Sequence, residues 1–165
     1  MADRGRVVVI GVGNELRRDD GAGLEAARRV REHVAWGGVD VCEESGELLR
    51  LLDVWYGCHA AFVIDAIRSA AAPATVRRLD VSDVPLDAAI RRSASSHAVG
   101  LGDAIELARK LGQLPSRVIV YAIEGGDFSF GRGLSEPVRS ATRIVAAAVV
   151  AELDALAVTQ CWARA

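Results

Sequence analysis

The chain has 165 residues and a mass of 17.5 kDa, near the commonest size of a single domain, so one domain is expected over 1–165 rather than two packed halves. With 51% hydrophobic and 25% charged residues and a mean hydropathy of +0.21, it is a globular composition, which excludes a disordered or fibrous chain. Twenty basic against twenty-two acidic residues give a net charge of −2, so no overall field favours nucleic acid or an anionic membrane.

The N-terminus reads Met-Ala-Asp-Arg-Gly-Arg and then a short apolar run that enters a glycine turn, without the long apolar segment and cleavage site of a signal peptide. Arg6 to Val12 is β-branched and almost free of polar residues, the pattern of a strand covered on both faces, and it ends in Gly11-Val12-Gly13-Asn14. From Gly21 to Val34, Leu24, Ala27 and Val30 recur at helical spacing, with Asp19-Asp20 just ahead of the first turn. Val39 to Cys42 reads as a short strand, Leu48 to Trp55 as a helix, and Ala60 to Ile64 as a buried strand stopped by Asp65. Thr75 to Leu79 alternates like an edge strand, and Val84 to Arg92 reads as a loop or short helix.

The small polar loop Ser93-Ala94-Ser95-Ser96-His97 precedes a helix over Leu101 to Leu111, closed by Gly112 and Pro115. Val118 to Ile123 is the next strand, followed by a glycine-bearing loop over Glu124 to Gly133 and a final helix over Glu136 to Leu156. Residues 158–165 are expected to be a short tail on a core of about 6–157. The apolar stretch Ile144 to Val158 contains Glu152 and Asp154 and is too short for a bilayer span, so it reads as a buried helix.

Strands and helices alternate, which predicts an open, mainly parallel sheet with helices on both faces. Ligands of such sheets bind beyond the carboxyl ends of the strands, where the strand order reverses. That directs attention to residues just after strands. In the first junction, Leu16 stands where a dinucleotide fingerprint needs glycine, and Asp19 and Asp20 would repel a phosphate at the helix start. The plain reading of both aspartates is helix capping. Asp65 follows Phe62-Val63-Ile64, and a carboxylate at the mouth of a buried strand must be solvated, hydrogen-bonded or bound to a metal. Its plain reading is an Asx turn.

Alone, His97 reads as a helix-start or surface residue. Together, Asp20, Asp65 and His97 make an oxygen, oxygen, nitrogen set that suits nickel, zinc or manganese, among which donor softness does not choose. His33 and His59 lie away from the expected face and read as structural. The three cysteines, Cys42, Cys58 and Cys161, share no CxxC spacing, so neither a disulfide framework nor a zinc knuckle is indicated and a cytoplasmic setting is expected. No Gly-x-Ser-x-Gly elbow occurs, and only Cys42 sits near a strand mouth, so nucleophilic catalysis is disfavoured.

Gly11-Val-Gly-Asn14 with Leu16, Asp19-Asp20-Gly21 and Gly23, then Val63-Ile64-Asp65-Ala66, then Ser96-His97 with Gly100-Leu101, closely resembles the hydrogenase maturation proteases. These endopeptidases trim a C-terminal extension from the large subunit of [NiFe] hydrogenases. The resemblance runs from about residue 6 to 157. It implies a three-layer α/β sandwich with a twisted, mainly parallel five-stranded sheet, and a metal site that falls by motif position on Asp20, Asp65 and His97. It further implies a precursor already loaded with nickel, for which zinc or cadmium would substitute, so that the substrate brings the metal. An ion there would position or polarise the scissile bond, or lower the pKa of a bound water toward about 7.

Asn14 is expected to shape or polarise the site, and Gly11, Gly13, Gly21 and Gly23 to let backbone approach. A monomer is expected, with no nucleic-acid or membrane partner. Two departures from the family pattern, Glu43-Glu44-Ser45-Gly46 and Glu124-Gly125-Gly126-Asp127, bear on partner and loop shape. Two other readings stay open: a nickel-binding chaperone that escorts the large subunit without cutting it, and a peptidase of related fold, as in the germination proteases of spores, with another protein substrate.

Overall fold

The computed structural model describes residues 5–35, 37–84 and 101–162. Five strands form one sheet: β1 (Val7–Val12), β2 (Val39–Glu44), β3 (Ala60–Ile67), β4 (Val76–Asp80) and β5 (Arg117–Glu124). A 3-10 turn, Arg18–Gly21, leads into α1 (Ala22–His33), and α2 (Leu48–Trp55), α3 (Leu101–Lys110) and α4 (Glu136–Trp162) complete the elements. The order across the sheet is β2-β1-β3-β5-β4, parallel throughout except for β4, which runs antiparallel to β5 at the edge. The expected three-layer, mainly parallel five-stranded sandwich is the observed architecture.

Strand alternation divides the core in two. Val7, Val9, Phe62, Ile64, Ile119, Tyr121 and Ile123 face α1 and α4, where Ala22, Ala26, Val30, Val138, Val145, Val149 and Leu153 meet them. Val8, Ile10, Val12, Ala61, Val63, Val118 and Val120 face α2 and α3, against Leu51, Trp55, Leu101, Ala104, Ile105 and Ala108. Because β1, β3 and β5 are covered on both sides, their sequences are apolar without alternation, which is why the runs read as buried strands. At eight residues, α2 is too short to persist alone and is held by Leu51 and Trp55, each fully buried and worth roughly 1.5–3 kcal/mol.

Two boundaries differ from expectation. β3 continues past Ile64 to Ile67, so Asp65 lies within the strand: Asp65, Ala66 and Ile67 still pair with Ala122, Ile123 and Glu124 of β5. A charged residue is therefore no stop signal where a neighbouring strand offers a full hydrogen-bond ladder. α4 runs on to Trp162, through most of the expected tail, because nothing between Leu156 and Trp162 is a helix breaker. Most of the predicted Val84 to Arg92 segment, and the loop carrying His97, lie outside the described residues. Among the described residues no helix is long and apolar enough to cross a membrane.

Glu152 of α4 gathers the far half of the sheet. It accepts hydrogen bonds from Arg78 of β4 at 2.7 and 2.8 Å, from the Tyr121 hydroxyl at 2.6 Å, and from Arg117 at 3.3 Å. The Arg78 hydrogen bond holds its carboxyl below the usual glutamate range, while burial and the same carboxylate push the Tyr121 phenol up to about 12. A depressed folded-state pKa means stability present above the ordinary value of about 4.3 and lost as pH falls through the folded value. Glu152→Gln is expected to destabilise by about 1–3 kcal/mol at neutral pH. Urea melts should show the gap between the two proteins narrowing below about pH 4, because only the wild type loses this contribution on protonation.

Candidate active site

The strand order reverses between β1 and β3: the chain leaves β1 for β2 on one side and then returns to β3 on the other. Such a switch point opens a crevice at the strands' carboxyl ends, and both candidate aspartates lie there. Gly11 of β1 pairs with Ile64 of β3, so Asp65 is the next residue along, beside the end of β1. Strand alternation puts Asp65 on the same face as Ala61 and Val63, the side of α2 and α3. The 3-10 turn carrying Asp20 packs against β3.

Missing side chains make that packing possible. A Cβ on Gly23 would collide with the carbonyl oxygens of both Val12 and Ile64, so the first turn of α1 rests directly on the end of β1 and on β3 at Ile64. A Cβ on Gly13 would collide with the Asp20 carbonyl, which also accepts the Asn14 N–H at 3.2 Å. The intervening loop is pinned by Asn14, whose Oδ1 accepts the Leu16 N–H at 2.9 Å and whose carbonyl accepts the Arg17 N–H at 3.1 Å. Asn14 therefore shapes the loop.

The neighbouring aspartates divide the work. Asp19, fully buried, accepts the N–H groups of Gly126 and Asp127 at 2.9 Å each on Oδ2, the Ser135 N–H at 2.7 Å on Oδ1 and the Ser135 hydroxyl at 3.0 Å. It ties the loop after β1 to the loop between β5 and α4, rather than capping α1 as its position suggests. Asp20 is likewise fully buried, and Asp65 is 4% exposed. Burial of two carboxylates at one switch point is the electrostatic signature of the site. His97, the third expected member, lies outside the described residues; in sequence it stands four residues before Leu101, which packs in the α3 layer on Asp65's side of the sheet. Among the described residues alone, no cluster of three or more His, Cys, Asp or Glu forms a metal site.

Glu124, 2% exposed at the carboxyl end of β5, was not anticipated. Its carboxylate accepts both the backbone N–H and the hydroxyl of Ser69, and its carbonyl accepts the Ala74 N–H, so it fixes the turn between β3 and β4. The signal was a carboxylate closing an apolar run, as at Asp65. Glu43 and Glu44 also have structural employment, pairing with Arg28 at 2.7 Å, Arg31 at 3.1 Å and Arg50 at 3.1 Å.

The cysteines offer no activated thiol among the described side chains. Burial raises Cys42 to about 11 and pushes Cys58 up as well, so both are protonated at neutral pH. His33 and His59 are exposed, at the end of α1 and just before β3, away from the carboxyl edge.

Two substitutions test how tightly this junction is held. Asp19→Ala leaves three backbone N–H groups without their acceptor and is expected to cost about 2–4 kcal/mol in thermal or urea unfolding. Gly23→Ala is expected to cost about 3 kcal/mol by the same measurement, the upper end for an overpacked contact.

Three kinds of comparison agree with this architecture. A family model described as hydrogenase maturation protease matches residues 24–152, a span that includes Asp65 and His97 and begins just after Asp20. The hydrogenase expression/formation protein HupD of Rhodobacter capsulatus is 29% identical over 152 residues, covering 91% of this chain and 72% of the relative. The [NiFe] hydrogenase maturation protease HybD from Thermococcus kodakarensis superposes with a TM-score of 0.69 at 28% identity, over 87% of this chain and 96% of that one. The hydrogenase maturating endopeptidase HybD from E. coli shares the fold, with a TM-score of 0.80 at 24% identity over 90% and 92% of the two chains. With its glycine-packed switch point, its two buried aspartates and a family match over most of its length, the chain belongs to the hydrogenase maturation protease family and is an endopeptidase of hydrogenase maturation.

Proposed function

We propose that this chain is a cytoplasmic, monomeric endopeptidase that removes the C-terminal extension of a nickel-loaded [NiFe] hydrogenase large-subunit precursor, and that Asp20, Asp65 and His97 grip the nickel the substrate carries. The observation that carries this reading is the burial of Asp20 and Asp65, from two separate segments, at one switch point. Two carboxylates are hard oxygen donors and an imidazole is a borderline nitrogen donor, a mixture that fits a divalent ion of nickel's class and leaves positions open for substrate ligands. Zinc or cadmium would fit the same donors.

The chain's own residues then act by placement. Asp19 fixes the segment from which Asp20 projects, so Asp20 meets the substrate with little reorganisation. Asp65 is held by its pairing with Ala122 of β5, one residue beyond the last pair of β3 with β1 at Ile64. Nickel, as part of the substrate, supplies Lewis-acid polarisation near the scissile carbonyl. A protease organised in this way needs no serine or cysteine nucleophile, in keeping with the protonated Cys42 and Cys58.

Processing of nickel-loaded precursor, followed by mass spectrometry, tests the reading. Asp20→Asn, Asp65→Asn and His97→Ala, each folded by circular dichroism, are expected to slow trimming more than about 100-fold, beyond the loss of a supporting partner around a metal. Wild-type trimming by all three would end the proposal. Nickel-free precursor is expected to stay uncut; an unchanged mass with nickel present would identify a chaperone instead.

A further inference from the structure

Phe130 is the most exposed large apolar side chain among the described residues, at 84%, and lies in the loop between β5 and α4. Single exposed apolar residues are ordinary on protein surfaces, so exposure alone decides nothing. What sets Phe130 apart is the rigidity beneath it. Next to it, Gly131 donates its N–H to the Leu16 carbonyl at 2.8 Å and accepts the Arg18 N–H at 2.9 Å, forming a β-bridge with the loop after β1. On its other side, Ser129 is held by the Asp127 carboxylate at 2.9 Å, and Asp127 by Asp19. An aromatic ring presented on a backbone already ordered loses little further entropy on association, the property of an interface anchor.

The surroundings add a second apolar side chain and a charge. Leu16, 40% exposed, sits across the same bridge. Arg17, Arg18 and Arg132 on these loops, with Arg68 in the turn after β3, stand against the exposed Glu15 and Asp127, while Asp19 and Asp20 are buried, so cations outnumber carboxylates at the surface here in a chain whose net charge is −2. Arg18 is engaged with Asp127 at 3.4 Å, whereas Arg132 is 73% exposed and only 3.9 Å from Glu15; Arg68 lies over the buried Phe128 ring with its centroid 4.5 Å away. The patch is continuous with the candidate site, since Arg17 accepts the Asp20 N–H and Asp19 anchors both loops.

We propose that Phe130 and Leu16, rimmed by Arg132 and Arg68, form the surface on which the substrate protein docks, through an apolar side chain of the substrate flanked by carboxylates. The identity of that substrate rests on the precursor reading above, whereas the surface's chemistry rests on the loops themselves. Docking here orients the substrate against the switch point without contributing to bond cleavage.

Binding of the full-length enzyme to nickel-free precursor, on which the proposed site does not turn over, reads the surface by itself; trimming kinetics on nickel-loaded precursor provide the second readout. Phe130→Ser is expected to weaken binding at least tenfold and to raise KM with kcat unchanged, with Phe130→Leu restoring most of the affinity. Arg132→Glu is expected to weaken binding at low salt and to lose that effect at high salt. Binding by Phe130→Ser within twofold of the unaltered enzyme overturns the proposal, as does failure of the unaltered enzyme to bind nickel-free precursor. Phe130-dependent binding without trimming would leave the docking surface standing and remove the cleavage reading; Asp20-dependent trimming indifferent to Phe130 would do the reverse.

Discussion

The architecture turns on a backbone-to-backbone contact that side chains would forbid. The first turn of α1 lies on the carbonyl oxygens of Val12 and Ile64 because position 23 is glycine, and the loop after β1 closes on the Asp20 carbonyl because position 13 is glycine. Gly11 extends the same seam, since a Cβ there would strike the Gly23 carbonyl and Ala27. Helix, central strand and neighbouring strand are thus locked at the point where the sheet's strand order reverses. Any widening of this seam would carry the turn bearing Asp20 away from β3, the strand that bears Asp65.

Placing carboxylates in so tight a junction has an electrostatic cost, because a buried charge must recover what it loses in hydration. Asp19 recovers it through four hydrogen bonds from the loop that follows β5. The arrangement spends a charged residue on scaffolding, and the return is directional: the same carboxylate that satisfies the 126–135 segment fixes the residue immediately before Asp20. Glu124 and Ser69 repeat the device at the next strand mouth. The carboxyl edge of the sheet is therefore a row of buried acids, Asp19, Asp20, Asp65 and Glu124, of which Asp19 and Glu124 hold loops.

Much of this was legible in the residues. Apolar runs rich in β-branched residues at Val7–Val12 and Val118 to Ile123 announce strands covered on both faces, and the alternation of strand and helix signals predicts the parallel sheet. The glycine spacing around Asp20 marked the first candidate segment because only a close backbone approach demands so many glycines in thirteen residues. Asp65 reads in sequence as a stop signal, since sequence shows the charge and not the β5 ladder that keeps the strand running to Ile67. The division between Asp19 and Asp20 was illegible for a related reason: both precede the same helix, and what distinguishes them is a loop more than one hundred residues away. Local pattern reveals which groups are expensive to bury, and tertiary contact determines what each is buried against.

That distinction bears on how substrate reaches the site. The long-range partner of Asp19 is the loop that lifts Phe130 into solvent, so the device that stabilises the Asp20 segment also makes the apolar loop tip stiff. Were the two loops separate, each would have to be ordered when a protein substrate arrived, at a cost of about 1–2 kcal/mol for each backbone residue fixed. Joined by one buried carboxylate and one β-bridge, they are ordered when the chain folds. The loop tip bearing Phe130 and the turn bearing Asp20 are then held in fixed relation before any partner arrives, so neither has to be ordered on association.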